Sequence, residues 1–175
     1  MHAPLLVRMA DALEAAGYIV LRYNLPFRSV RPKGPPFPAQ AARDRAGIVE
    51  AVEALRRKTK GRVFAGGHSY GGRQSAMAAA ERAGMAGALL LLSYPLHPPG
   101  KPEQMRTGFF GDLRIPALFV HGTADPFGSI EELREAMALI PAPTDLLAVE
   151  GAGHDLKRAA GLSADVLARL HALVG

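Results

Sequence analysis

Apolar positions along the chain alternate between two periods. Leu5, Leu6, Met9, Leu13 and Ala16 recur at helical spacing and Gly17 ends the run, which predicts a first helix. Tyr18-Ile19-Val20-Leu21-Arg22-Tyr23 is rich in β-branched and aromatic residues and reads as a strand. Residues 24–40 hold prolines at 26, 32, 35, 36 and 38, which excludes regular structure there. Ala41–Lys58 is an amphipathic helix with Ile48, Val52 and Leu55 on one face. Further on, short apolar runs at 62–66, 87–93, 115–121 and 145–149 read as strands. Helical segments are predicted at 71–83, 129–140 and 162–174. The strands are continuous apolar runs, as expected for a parallel sheet covered on both faces. The expectation is an α/β three-layer sandwich, with a mostly parallel sheet of five strands in one domain spanning 1–175.

Composition narrows the class. The chain has 175 residues, 49% hydrophobic and 21% charged, enough to bury a core and too apolar for disorder. There is no Cys, which removes disulfides, thiolate metal sites and cysteine nucleophiles together. The longest near-apolar stretch, Ala83–Leu96, is too short to span a bilayer, and the first residues lack a signal peptide's apolar middle. A cytoplasmic protein without a membrane partner is expected, with a homo-oligomer left open. Net charge is +5, with twelve Lys/Arg against five Asp/Glu in residues 1–62. The densest basic cluster, Arg56–Lys60, ends a predicted helix, where cations suit the negative end of the dipole. No nucleic-acid motif accompanies it, so no nucleic-acid partner is expected.

The most informative stretch is Val63-Phe64-Ala65-Gly66-Gly67-His68-Ser69-Tyr70-Gly71-Gly72. It places G-x-S-x-G between a strand and a helix, where a serine on a sharp turn lifts its hydroxyl clear of the sheet. Neither phosphate-loop pattern occurs in it. The backbone N–H of Tyr70, at the start of the next helix, is positioned to hold an oxyanion. A serine needs a base, and the base an orienting acid. Asp125 follows the strand 115–121, and His154 lies in the Gly-rich loop after 145–149. Singly, Asp125 reads as a turn opener before Pro126 and His154 as a loop residue. In the order Ser, Asp, His, each one loop beyond a strand, they read as a set.

The other histidines are weaker bases. His68 is expected to point away from the acyl site, although it is close enough to be a substrate contact. His121 ends a buried strand, and His97 follows the strand 87–93. His2 and His171 read as surface residues. No pair has a metal-ligand spacing, so no metal site is expected. Tyr94, His97 and Phe27 are candidate pocket residues beside His68. Residues 24–40, with Phe27, Arg28, Arg31, Lys33 and Phe37, are open to two readings. One is a lid favouring anionic acyl groups; the other is a stiff polyproline-like connection. A proline-rich ligand for another domain is a third use of an exposed stretch.

Gly67-His68-Ser69-Tyr70-Gly71, His121-Gly122-Thr123-Ala124-Asp125 and Gly153-His154 together resemble the α/β-hydrolase superfamily. Leu21–Asn24, Leu92–Pro102 and Phe119–Gly128 narrow the resemblance to its small dienelactone-hydrolase-like branch. That branch includes relatives of testis-expressed protein 30 and regulatory NSL complex subunit 3. The resemblance implies a serine hydrolase of small carboxylic esters or thioesters, with Ser69 as nucleophile, His154 as base, Asp125 as orienting acid and no cofactor. The branch's dienelactone hydrolases carry Cys where Ser69 stands, which points to ester-type substrates. The branch also begins with a strand pair and a loop that donates an oxyanion-hole N–H, whereas Met1-His2-Ala3-Pro4 stands at the entrance of the following helix. The expectation is therefore a start further upstream and weak or absent activity for these 175 residues. The rival expectation is a non-catalytic binding or scaffold protein that kept the fold.

Overall fold

A computed structural model describes residues 3–157 and 161–175. Four strands form one parallel sheet in the order β1-β2-β3-β4, comprising β1 (Phe64–His68), β2 (Ala88–Leu92), β3 (Ala117–Gly122) and β4 (Thr144–Val149). Six α-helices accompany them: α1 (Pro4–Ala15), α2 (Phe27–Val30), α3 (Ala41–Arg56), α4 (Tyr70–Glu81), α5 (Ile130–Met137) and α6 (Leu162–Val174). None is long and apolar enough to cross a membrane, among the described residues.

The alternation of side chains along each strand divides the core in two. Leu89, Leu91, Ala117 and Phe119 face a cluster with Ile48 and Val52 of α3, Ala76 of α4 and Leu133 of α5. Leu90, Leu92, Leu118 and Val120 face the other side, against Leu5 and Met9 of α1 and Val166 and Leu170 of α6. Every residue of β2 and β3 is buried, so both central strands are apolar on both faces. The register pairs Gly66 with Leu90 and Leu91 with Phe119, and Val120 with Leu147. Ser129 closes a reciprocal capping box with Glu132 and fixes the start of α5.

Three sequence expectations change. Tyr18–Tyr23, predicted as the first strand, pairs with no strand, and the sheet has four strands. Its β-forming composition is real, but a strand exists only with a neighbour to pair with, and this segment runs past β1 without joining it. Ile19 and Leu21 are consequently exposed. Within 24–40, the single turn α2 and a 3₁₀ turn at Pro38–Gln40 do form, because Pro26 and Pro38 stand at helix entrances that proline tolerates. The first sheet strand also lies two residues later than the apolar run suggested, at 64–68.

Gly66 is pressed against β2: a Cβ there would sit 2.1 Å from the Leu90 carbonyl oxygen. Gly66→Ala is expected to destabilise the fold by about 1–3 kcal/mol through overpacking. Gly108→Ala, where an added Cβ meets nothing within 4 Å, is the control. Equal melting temperatures for the two variants would contradict this account of the β1–β2 contact.

Candidate active site

Parallel strands all end on the same edge, and the candidate residues follow three of those ends. Ser69 comes immediately after β1, with φ 53° and ψ −120°, a conformation few non-glycine residues adopt. The turn depends on close approach of strand and helix, since a Cβ on Gly72 would lie 2.6 Å from the Gly67 carbonyl oxygen. Tyr70 opens α4, so its N–H is one of the helix-start donors without an intrahelical partner.

Asp125 and His154 belong to two loops that are bolted together. Thr123 N–H donates to Val149 O at 3.0 Å, Ala124 N–H to Ala152 O at 3.0 Å, and Gly151 N–H to Thr123 Oγ1 at 2.9 Å. A Cβ on Gly122 would meet the Ala152 carbonyl oxygen at 2.1 Å, so this approach needs glycine. The result is a continuous chain of hydrogen bonds. His154 Nδ1 lies 2.8 Å from Asp125 Oδ2, and His154 Nε2 lies 2.8 Å from Ser69 Oγ. A carboxylate only accepts, so Nδ1 carries the proton and Nε2 presents its lone pair to the hydroxyl.

Asp125 is buried, which pushes its pKa up. Hydrogen bonds from His154 and the Phe127 amide, and the charges of His154 and His121, outweigh that and hold it below the ordinary aspartate value. Phe127 also packs its ring on the His154 imidazole, with centroids 4.3 Å apart.

The other candidates separate. His68, expected to point away, turns toward the base: its Nε2–H donates to the His154 carbonyl oxygen at 2.7 Å and tethers that loop. Burial lowers its pKa, which favours the neutral imidazole. Phe27 is buried, lines the cavity beside Ser69 and meets the Tyr70 ring edge-on. Tyr94 is not a pocket residue. It is fully buried against Phe110 and Phe119, and its hydroxyl donates to Arg106 O at 2.6 Å. His97 is also turned away from the cavity at Ser69, with Nδ1 on Pro98 O and Nε2 3.4 Å from Glu132.

His121 is buried at the end of β3 and donates from Nε2 to Gly128 O. His171 is exposed on α6 and bonds the Tyr18 hydroxyl; His2 lies outside the described residues. Arg28 contributes to the cavity wall, yet its guanidinium is spent on the carbonyls of Arg31, Pro32 and Gly34. Arg31 stacks on Phe37. The loop is thus a self-braced wall, and these two cations are engaged within it. Among the described residues, no group of three or more His, Asp or Glu could hold a metal.

Sequence reasoning missed Asp44. It is fully buried in the first turn of α3, accepting from the Phe27 N–H at 2.9 Å and the Tyr70 hydroxyl at 2.7 Å. It joins the irregular segment, α3 and the residue after Ser69. An acid on the apolar side of an amphipathic helix was the available signal.

A family model described as an alpha/beta hydrolase domain matches residues 1–172. The chain belongs to the α/β-hydrolase family. Its fold is similar to that of a dienelactone hydrolase from Anabaena variabilis, at 20% identity and TM-score 0.76, covering 98% of this chain and 78% of that one. An esterase domain from Rhodothermus marinus matches at 17% identity and TM-score 0.70, covering 97% and 81%. A serine hydrolase without lid from Xanthomonas campestris matches at 23% identity and TM-score 0.70, covering 99% and 73%.

Two predictions concern this α/β hydrolase's site. Tyr70→Phe leaves one Asp44 oxygen without its donor and is expected to cost about 1–3 kcal/mol, read by urea denaturation. An unchanged midpoint would mean that Asp44 is not part of the scaffold of the site. The second concerns pH. Burial lowers the pKa of His68 and of His121, so the unfolded chain binds protons that the folded chain excludes. Their contribution to stability is complete above about pH 6.5, the ordinary histidine value, and is lost as pH falls below it. Asp125, also lowered, adds a further loss below about pH 3.9. A melting temperature that rises on acidification from pH 7 to 5 would contradict this.

Proposed function

We propose that the chain is a serine hydrolase of small carboxylic esters or thioesters. The observation that carries the reading is the hydrogen-bonded series Ser69 Oγ–His154 Nε2 and His154 Nδ1–Asp125 Oδ2, both links at 2.8 Å. Ser69 Oγ attacks the acyl carbon as His154 takes its proton, and the carbonyl electrons move to an oxyanion held by the Tyr70 N–H. The tetrahedral species collapses, the C–O or C–S bond breaks, and His154 gives its proton to the departing alcohol or thiol. Water, deprotonated by the same imidazole, then releases the acid and restores Ser69. Asp125 keeps the imidazole in the productive tautomer and balances its charge while it is protonated.

Further support comes from the strain at Ser69, whose positive φ falls on the residue whose Oγ meets the base. A binding protein that kept only the fold would have no use for that strain together with an aligned base and acid. Arg28, the cation of the 24–40 loop that lines the cavity at Ser69, is spent on backbone carbonyls of its own loop.

A fluorophosphonate probe is expected to label the natural chain on Ser69, and Ser69→Ala to abolish labelling. Asp125→Asn is expected to lower turnover of p-nitrophenyl butyrate by on the order of 10³–10⁴. Labelling that persists in Ser69→Ala, or full turnover in Asp125→Asn, would overturn the reading.

A further inference from the structure

The hydrogen bonds of His154 leave one freedom of its ring open. Asp125 takes the imidazole at a single atom, Nδ1, which lies 2.8 Å from Oδ2 and 3.1 Å from Oδ1. A hydrogen bond at one atom fixes a distance but lets the plane of the ring tilt, and a tilt carries Nε2 away from Ser69 Oγ. The serine hydroxyl is itself a free rotor and cannot stop that motion. Enclosure does not stop it either, because the His154 side chain is 23% exposed whereas that of Asp125 is fully buried.

Two other rings meet the imidazole. Phe127, two residues beyond the acid, lies at 4.3 Å between centroids and is tilted by 35°. His68, the residue before Ser69, lies at 5.0 Å and is tilted by 49°. The base therefore touches one ring contributed by the acid's loop and one contributed by the nucleophile's strand.

Both rings stand on fixed backbone. His68 is tied through its Nε2–H to the His154 carbonyl oxygen. Phe127 donates its N–H to Asp125 Oδ1 at 2.9 Å, and its carbonyl oxygen accepts from the His97 N–H at 3.0 Å. The carbonyl oxygen of the next residue, Gly128, accepts from His121 Nε2–H at 2.9 Å. A Cβ on Gly128 would lie 2.9 Å from Leu96 Cβ, so the turn is pressed against the chain that follows β2. The turn at 125–128 is thus held from β3 and from the segment of Leu96 and His97. Phe127 alone in it touches both partners, with its amide on the acid and its ring on the base.

We infer that Phe127 is a positioning residue for the base. Its ring, together with that of His68, sets the plane of the His154 imidazole and keeps Nε2 on Ser69 Oγ. The inference rests on the reading of Ser69, His154 and Asp125 as a triad. A misplacement of about 1 Å between reacting groups costs on the order of 10² in rate, so loss of the ring is expected to lower turnover by at least about tenfold.

The test compares the natural chain with Phe127→Leu, which keeps apolar volume and the amide, and with Phe127→Tyr, which keeps the ring. With p-nitrophenyl butyrate, Phe127→Leu is expected to lower kcat at least tenfold with KM within twofold, and Phe127→Tyr to restore kcat. A second readout needs no turnover: carbon-13 relaxation at the His154 Cε1 in histidine-labelled protein. An order parameter of about 0.85 is expected in the natural chain and in Phe127→Tyr, falling below about 0.6 in Phe127→Leu. The buried His97 and His121 report in the same spectra that the fold is intact, and Phe127→Met takes the place of a leucine variant that fails this check. An unchanged order parameter in the folded ringless variant, an equal fall in Phe127→Tyr, or a change in KM alone would overturn the inference. A natural chain that neither turns over the ester nor takes the fluorophosphonate label defeats the triad instead, and the order parameters then decide the role of the ring by themselves.

Discussion

Parallel pairing is the constraint on which the rest depends. A strand that pairs in parallel with its predecessor must be entered from the same end, so the chain returns across the sheet between strands. All four carboxyl ends therefore meet on one edge. The residues after β1, β3 and β4 come together there despite lying more than eighty positions apart in sequence at the extreme, as the Ser69–His154 contact requires. The two central strands carry apolar side chains on both faces, and the two core clusters hold that edge in place from either side. Nothing local to Ser69, Asp125 or His154 could fix their separation without this frame.

On that frame, geometry is set by backbone contacts more than by side chains. Glycines 72 and 122 allow approaches that a single added carbon would block. Buried polar groups then lock what the approaches permit. Asp44 ties α3 to the residue beside the nucleophile candidate, and the His68 imidazole ties β1 to the loop of His154. Asp125 illustrates the balance: burial raises its pKa, and the donors and charges aimed at it bring the pKa below the ordinary aspartate value. Its charge belongs to the fold as much as to the site.

Periodicity made most of this legible. The helices α1, α3, α4 and α6 and the strands β2 to β4 stand close to where apolar spacing placed them. The turn at Ser69 could be read because its glycines and serine are adjacent in sequence, and Asp125 and His154 because each follows a strand. Tyr94 could not be sorted correctly, because an aromatic next to a strand end serves a core or a pocket equally well by pattern. His68 and Asp44 escaped for another reason. Their roles are contacts with residues far along the chain, and neither spacing nor composition records where such a side chain will turn.

The segment Tyr18–Tyr23 is the instructive disagreement. Its residues favour a strand, and in this family's architecture a strand is stable only when its edge groups are paired or solvated. In the structure it stands across an open slot from β1, with Ile19 and Leu21 exposed. Local preference and observed pairing conflict here and nowhere else in the sheet. The slot runs to Ser69 and His154, which both line it. The stretch of chain that borders the slot ends in His68 and Ser69, so the space beside the nucleophile candidate is bounded by β1 on one flank and by Tyr18–Leu25 on the other.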